Sequence, residues 1–391
     1  MKPIIFDVDT GIDDAMAMAY ALNSPELEVL GFTTCFGNVP VVESTRNTLA
    51  VLEKLNRRIP VFEGADQTLV RGRKKKYPKH VHGEDGLGNT LQFEPTIKAS
   101  QGNAADFIID QVKSRPHEIT IIAVGPLTNI ALAIKKAPTI MSLVKEVVIM
   151  GGAVNVPGNV TPYAEANIIS DPEAADQVFA SGLPITLVGL DVTLQTYLLK
   201  SKLDDWRATG KESAKFLAEM TDYYMKAYEN SHPGLGGCAL HDPLAVGVAI
   251  DSSFVNTEWM NVKVVTEGEE TGRTIGQEDG EPRIRVCTNV ESDRFLKHFL
   301  ERVIGLSNVI ESCIKYKGHH FSKNLWEEMA CFCWVYRFSL YDVPAVAEVS
   351  GWPKKGVRTI YLCKKGPPFI RMSILNDLGS INYKGEQYGN V

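Results

Sequence analysis

The chain is 391 residues long, 44% hydrophobic and 23% charged, with a formal net charge of −6. That length can bury a large core, as one big α/β domain with an appendage or as two domains. The acidic balance gives no global basic field for nucleic acid, and no run approaches the ~20 apolar residues that span a bilayer.

The opening "MKPIIFDVDTGIDD" has too short an apolar run for a signal peptide, and acids follow at once. Seven cysteines, an odd number without framework spacing, point to reduced thiols and a cytoplasmic location. The basic run "RGRKKKYPK" (71–79) reads as a solvated loop.

Along the first three hundred residues, short β-rich runs alternate with stretches of helical periodicity. The strands are "PIIFDV" (3–8), "EVLGFTTCFG" (28–37), "IPVFEG" (59–64), "ITIIAVGP" (119–126), "VKEVVIMGG" (144–152) and "PITLVGLDV" (184–192). Between them, "VVESTRNTLAVLEKLN" (41–56), "AADFIIDQVKS" (104–114), "LTNIALAIKKAP" (127–138) and "DPEAADQVFAS" (171–181) carry the helical pattern. Nearly unbroken apolar strands separated by helices predict a mostly parallel, Rossmann-like sheet covered on both faces. Ligands of such sheets bind outside the carboxyl ends of the strands. Further on, "NSHPGLGG" (230–237) reads as a loop and "HDPLAVGVAI" (241–250) as a helix opening on His241 and Asp242. A strand "PRIRVCTNV" (282–290) and an amphipathic helix "ESDRFLKHFLERVIG" (291–305) follow.

Composition breaks near residue 312. Residues 313–391 hold four of the seven cysteines and three of the five tryptophans. Eleven Lys or Arg stand there against six Asp or Glu, a formal +5 that leaves −11 on the rest. The expected organisation is therefore a catalytic domain over 1–311 and an extension over 312–391. His319 and His320 near Cys331 and Cys333 match no ordinary structural zinc spacing.

The most informative stretch is "IIFDVDTGIDDAMAMAYAL", where an apolar strand runs into Asp7 and Asp9, a Thr-Gly turn, then Asp13 and Asp14. Four carboxylates in eight residues repel unless a cation, a proton or a donor compensates. Helix capping needs one or two of them and leaves Asp7 and Asp9 unexplained. A strand-Asp-x-Asp phosphatase of the haloacid dehalogenase type needs Thr two residues after the second Asp, where Gly11 stands. An EF-hand counted from Asp7 needs Gly and Glu where Ile12 and Met18 stand.

The run instead resembles the signature of the nucleoside hydrolase family, with Thr10 at a turn position where many members carry Pro. Further stretches match in order: "TTCFGN", "AVGPLTN", "VVIMGGAV", "GNVTPYAEANIISDPEAA", "VGLDVT" and "ALHDP". The resemblance covers residues 3 to about 305 and implies a calcium-dependent enzyme that hydrolyses the N-glycosidic bond of purine or pyrimidine ribonucleosides. It assigns Asp9, Asp14, the Val124 carbonyl and Asp242 to one Ca²⁺, a hard cation suited to oxygen donors. Asp13, Asn38 and Asn167 would bind the ribose 2′ and 3′ hydroxyls, Asn159 and Glu165 the 5′ hydroxyl, and Met150 would line the pocket.

Asp9 would act as general base towards water, and His241 as general acid towards the departing base, with a pKa near the working pH. Two mobile segments would close the site: the loop with His80 and His82, and the stretch with Tyr224 and Tyr228, whose rings could stack on the base. A homodimer or homotetramer follows from the same resemblance. A nucleoside- or calcium-binding homologue without turnover is the alternative.

Overall fold

The computed structural model describes residues 1–70 and 77–305, together with the backbone of two further strands, Arg358–Leu362 and Ile370–Ile374. Contacts divide the chain into two units, Met1–Cys313 and Ile314–Val391. In the second unit those two strands pair antiparallel. The His319, His320, Cys331 and Cys333 group and most of the basic run lie outside the described residues.

In the first unit the strands are β1 (Lys2–Val8), β2 (Leu27–Thr34), β3 (Val61–Glu63), β4 (Thr120–Ala123), β5 (Glu146–Met150), β6 (Ile185–Val188), β7 (Tyr197–Leu199), β8 (Gly237–Ala239), β9 (Val255–Val264), β10 (Thr274–Gln277) and β11 (Ile284–Val290). Nine of them form one sheet in the order β10-β9-β11-β6-β5-β4-β1-β2-β3. The seven from β11 to β3 run parallel. At one edge β9 runs opposite to the rest, so its pairings with β11 and β10 are antiparallel. The predicted mostly parallel sheet with flanking helices is what forms; β7 and β8 add a separate short pair.

The strands read as continuous apolar runs because both faces are covered. In β1, Ile4, Phe6 and Val8 enter one core with Met16, Trp206 and Leu244. Ile5 enters the other, with Ile121, Ile149 and Leu187. That two-residue alternation is the strand period itself.

Two helices decide where the chemistry sits. Ile12–Leu22 is buried from Ile12 to Ala21, and His241–Ile250 is buried at every position. Helices apolar all round belong inside a protein, and these two pack on each other. Gly247 lets a third helix, Ser292–Arg302, approach closely, since a Cβ there would lie 2.7 Å from the Phe295 ring. The first helix follows β1 directly, so its N-terminus sits at the carboxyl end of the sheet.

The stretch of residues 222–232 differs from the expected mobile segment. Through Ser231 it belongs to a 20-residue helix, Glu212–Ser231. Phe216, Leu217, Met220, Tyr224 and Tyr228 are all buried on that helix, and their three- and four-residue spacings put them on one side.

Candidate active site

The N-termini of the two buried helices converge. Asp13 and Asp14 stand in the first turn of one and Asp242 in the first turn of the other. One carboxylate oxygen from each lies within 4.8 Å of the others, and all three residues are buried. Helix N-termini favour negative charge, which places acids here but does not neutralise three of them.

The charges acting most strongly on Asp242 are all carboxylates: Asp13, Asp14, Asp9 and Glu165. Burial first, and those neighbours second, hold its pKa far above the usual carboxylate range. Burial and Asp14 raise Asp13 to about 7, and burial raises Asp14 as well. Asp13 Oδ1 is enclosed without a hydrogen-bond partner. An all-oxygen, buried and uncompensated cluster fits a divalent cation.

Asp14 is also built into the fold. Its Oδ1 accepts from the Asp9 amide at 3.1 Å, and its Oδ2 accepts from the Gly11 amide at 2.9 Å and Asn38 Nδ2 at 3.1 Å. The Gly11 contact is one half of a capping box, Asp14 at the third helical position reaching back to the amide before the helix, while glycine has no side chain to return the bond. Helix capping and metal binding thus draw on the same carboxylate.

Asp9 lies just beyond β1. Its carboxyl hydrogen-bonds the Asp14 side chain, and its Oδ2 accepts from the Asn38 amide at 2.6 Å. Two glycines make room for it. A Cβ at Gly37 would fall 1.7 Å from Asp9 Oδ2, and one at Gly125 would fall 2.9 Å from Oδ1.

Asp7 lies within β1, two residues before Asp9. Its Oδ1 accepts from the Thr33 hydroxyl and from Asn129 Nδ2. Burial raises it to about 7. Asn129 also donates to the Thr34 carbonyl and accepts from the Ala65 amide, so one amide ties three strand ends together.

On the other flank, Asn167 Nδ2 donates to the Val124 carbonyl at 2.8 Å and the Met150 carbonyl at 3.1 Å. Glu165 is buried and caps the helix Ala166–Ser170, accepting from the amides of Asn167, Ile168 and Gly152. Asn159 is exposed at the rim and accepts from the Ala166 amide.

His241 is buried between two hydroxyls. Its Nε2 pairs with the Tyr228 hydroxyl at 2.7 Å, and its Nδ1 with the Thr193 hydroxyl at 2.8 Å. Burial, and secondarily the charge of His232, lowers its pKa to about 4. Burial thus favours the neutral imidazole, with a pKa well below the value near working pH that was expected of it.

His82 is buried as well. Its Nδ1 accepts from the Ile12 amide at 3.2 Å, and its ring stacks on Tyr224. Tyr224 in turn packs edge-on against Tyr228. His80 is exposed and stays outside this cluster.

Sequence reasoning passed over Thr193, Asn129, Gly37 and Gly125. All four sit inside the quoted runs "VGLDVT", "GPLTN" and "TTCFGN", which was the available signal. Their partners, however, are 28 to 122 residues away, beyond what spacing reveals.

These features define a class: an α/β fold with a buried carboxylate cluster at the carboxyl ends of its parallel strands. The model of the family "inosine-uridine preferring nucleoside hydrolase" matches residues 4–297, and the chain belongs to that family of nucleoside N-ribohydrolases. It is 39% identical over 320 residues to "Probable uridine nucleosidase 2" of Arabidopsis thaliana, covering 78% of this chain and 98% of that one. It is 36% identical over 307 residues to the pyrimidine-specific ribonucleoside hydrolase RihA of Salmonella gallinarum, covering 77% and 98%. Among solved structures, a purine-preferring ribonucleoside hydrolase from Gardnerella vaginalis superposes with a TM-score of 0.76 at 43% identity, covering 79% and 100%.

Two predictions follow from this geometry. Gly37→Ala should displace the Asp9 carboxylate and lower kcat by about 10²-fold or more, with circular dichroism unchanged; near-normal turnover would refute the slot.

The second concerns pH. Asp7 and Asp13 bind a proton more tightly folded than unfolded. That stabilisation is complete below their unfolded value of 3.8 and is lost as pH rises through about 7. Chelated protein should therefore melt at lower temperature at about pH 8 than at about pH 6. A divalent cation should restore the loss, and a flat profile would count against the buried cluster.

Proposed function

We propose that the chain hydrolyses the N-glycosidic bond of purine and pyrimidine ribonucleosides to ribose and free base, with calcium as its cation. The observation that carries this reading is the convergence of Asp13, Asp14 and Asp242 at two packed helix N-termini. Asp9, Asp14, Asp242 and the Val124 carbonyl would hold the cation. Calcium is favoured by the number of hard oxygen donors and their varied geometry. When bound, it would supply the charge that acidifies a nearby water and anchors ribose hydroxyls.

The chain's own groups do the rest. Asp9 takes the proton from the attacking water. Asp13, Asn38 and Asn167 grip the 2′ and 3′ hydroxyls, and Glu165 with Asn159 the 5′ hydroxyl. A sugar lacking one of these hydroxyls leaves buried polar groups unpaired, so ribonucleosides should outrun deoxyribonucleosides. The surrounding carboxylates favour the positive charge that develops on the ribosyl ring. Met150, His82, Tyr224, Tyr228 and His241 form the side towards the base. As general acid, His241 would hand the departing base a proton that it first takes up from solvent, and so return to the neutral imidazole held by Tyr228 and Thr193.

Both cores of the first unit are complete by Ile304, so we assign catalysis to residues 1–311 and treat 312–391 as an extension. Among the described residues no helix is long and apolar enough to cross a membrane. Cys35, Cys238 and Cys287 form no disulfide, which agrees with a cytoplasmic enzyme. A homodimer or homotetramer is proposed from the family likeness, and sedimentation would read it.

Ribose release from inosine and uridine should be abolished by chelation and restored by calcium. Asp9→Asn should lower kcat by about 10²- to 10⁴-fold. Folded protein that binds calcium and nucleoside without releasing ribose would make it a binding protein instead. A chain ending at residue 311 should retain full activity; insolubility or inactivity would overturn the domain assignment.

A further inference from the structure

Thr10 departs from the proline common in the family, and its surroundings lead to a residue that the catalytic reading leaves out. Helix Val41–Lys54 grips the Asp9–Asp14 turn at two points. The Thr10 hydroxyl pairs with the Thr48 hydroxyl at 2.6 Å, and the Thr10 carbonyl accepts from Asn47 Nδ2 at 3.1 Å. Asn47 is fully buried. Its Nδ2 also donates to the Asp85 carbonyl at 2.8 Å, while Arg46 fills its Oδ1 and reaches the same Asp85 carbonyl at 3.1 Å.

Asp85 organises the loop that carries His82. Its Oδ1 accepts from the Leu87 and Asn89 amides, and its Oδ2 from the Leu91 amide. The Gly88 amide returns to the His82 carbonyl at 2.7 Å. Residues 82–91 are therefore tied into one piece, which reaches the turn directly through His82 on the Ile12 amide and indirectly through Asn47, bonded to both Asp85 and Thr10.

We propose that Asn47 is a positioning residue that holds the His82 loop closed on the catalytic turn at Thr10. One amide group bonds two carbonyls from separate segments, so the loop and the turn share a donor. Removing it strips the Thr10 carbonyl of its Asn47 donor and leaves the Asp85 carbonyl to Arg46 alone, so the loop loses its bridge to the turn. An unclamped loop is closed in only a fraction of molecules, and apparent substrate affinity falls by that fraction. The proposal rests on the nucleoside hydrolase reading for its kinetic arm alone.

Asn47→Leu, similar in volume and without donors, tests it. Hydrogen exchange should quicken across residues 83–91 while β1 and β2 stay protected. KM for the better of inosine and uridine should rise about tenfold, with kcat within about twofold. Combined with His82→Ala, the variant should do no more than the worse single change, since both act through one loop. Thr48→Val, which loosens only the turn, should leave loop exchange unchanged. If Asn47→Leu does not fold, Asp85→Ala disrupts the same loop and is read in the same way. Unchanged loop exchange, or additive effects of Asn47→Leu and His82→Ala on KM, would overturn the proposal. Faster loop exchange in a protein that hydrolyses no nucleoside would support the clamp and sink the hydrolase reading.

Discussion

Mutual repulsion among buried carboxylates is the constraint on which the rest of this structure depends. Asp9, Asp13, Asp14 and Asp242 are all removed from water, and the strongest charges on Asp242 come from the other acids. Such a group persists only if protons, amide donors or a cation offset it. The fold supplies the amides: two helix N-termini and the backbone donors of Gly11, Asp9 and Asn38. The negative charge that remains suits a divalent cation held by oxygen donors.

Much of the surrounding architecture keeps those acids in register. Glycines at 37 and 125 leave space that any Cβ would take from Asp9. Asn129 and Asn167 each bridge the ends of separate strands with one side-chain amide. Amides suit this task because they donate and accept without adding charge. The aromatic side is built differently, from a stack of His82 on Tyr224 and a hydroxyl–imidazole chain through Tyr228, His241 and Thr193. There burial keeps the imidazole neutral, so the two halves of the cavity differ sharply in polarity.

The parallel sheet and its covering helices were legible in the residues, since apolar strand runs and helical periodicity are local properties. So was the acidic motif, because four carboxylates in eight residues is a local anomaly. The antiparallel edge, β9 and β10, was not. Residues 256–259 of β9 are exposed, and the strand lacks both the unbroken apolar run and the clean alternation that mark a strand. The stretch holding Tyr224 and Tyr228 suggested a mobile segment, and tertiary burial along one face made it a helix.

By itself the sequence determined the class of fold, the parallel strands of its centre and the acidic run that follows the first of them. Tertiary structure alone brought Asp242 beside Asp13 and Asp14 across more than 200 residues. It also joined His241 to Thr193 and Tyr228, and Asn47 to both Thr10 and Asp85. The physical reason is that strand and helix periods are set by neighbours in sequence. A carboxylate's charge state and an imidazole's proton are set instead by whatever the packed fold places within a few ångströms.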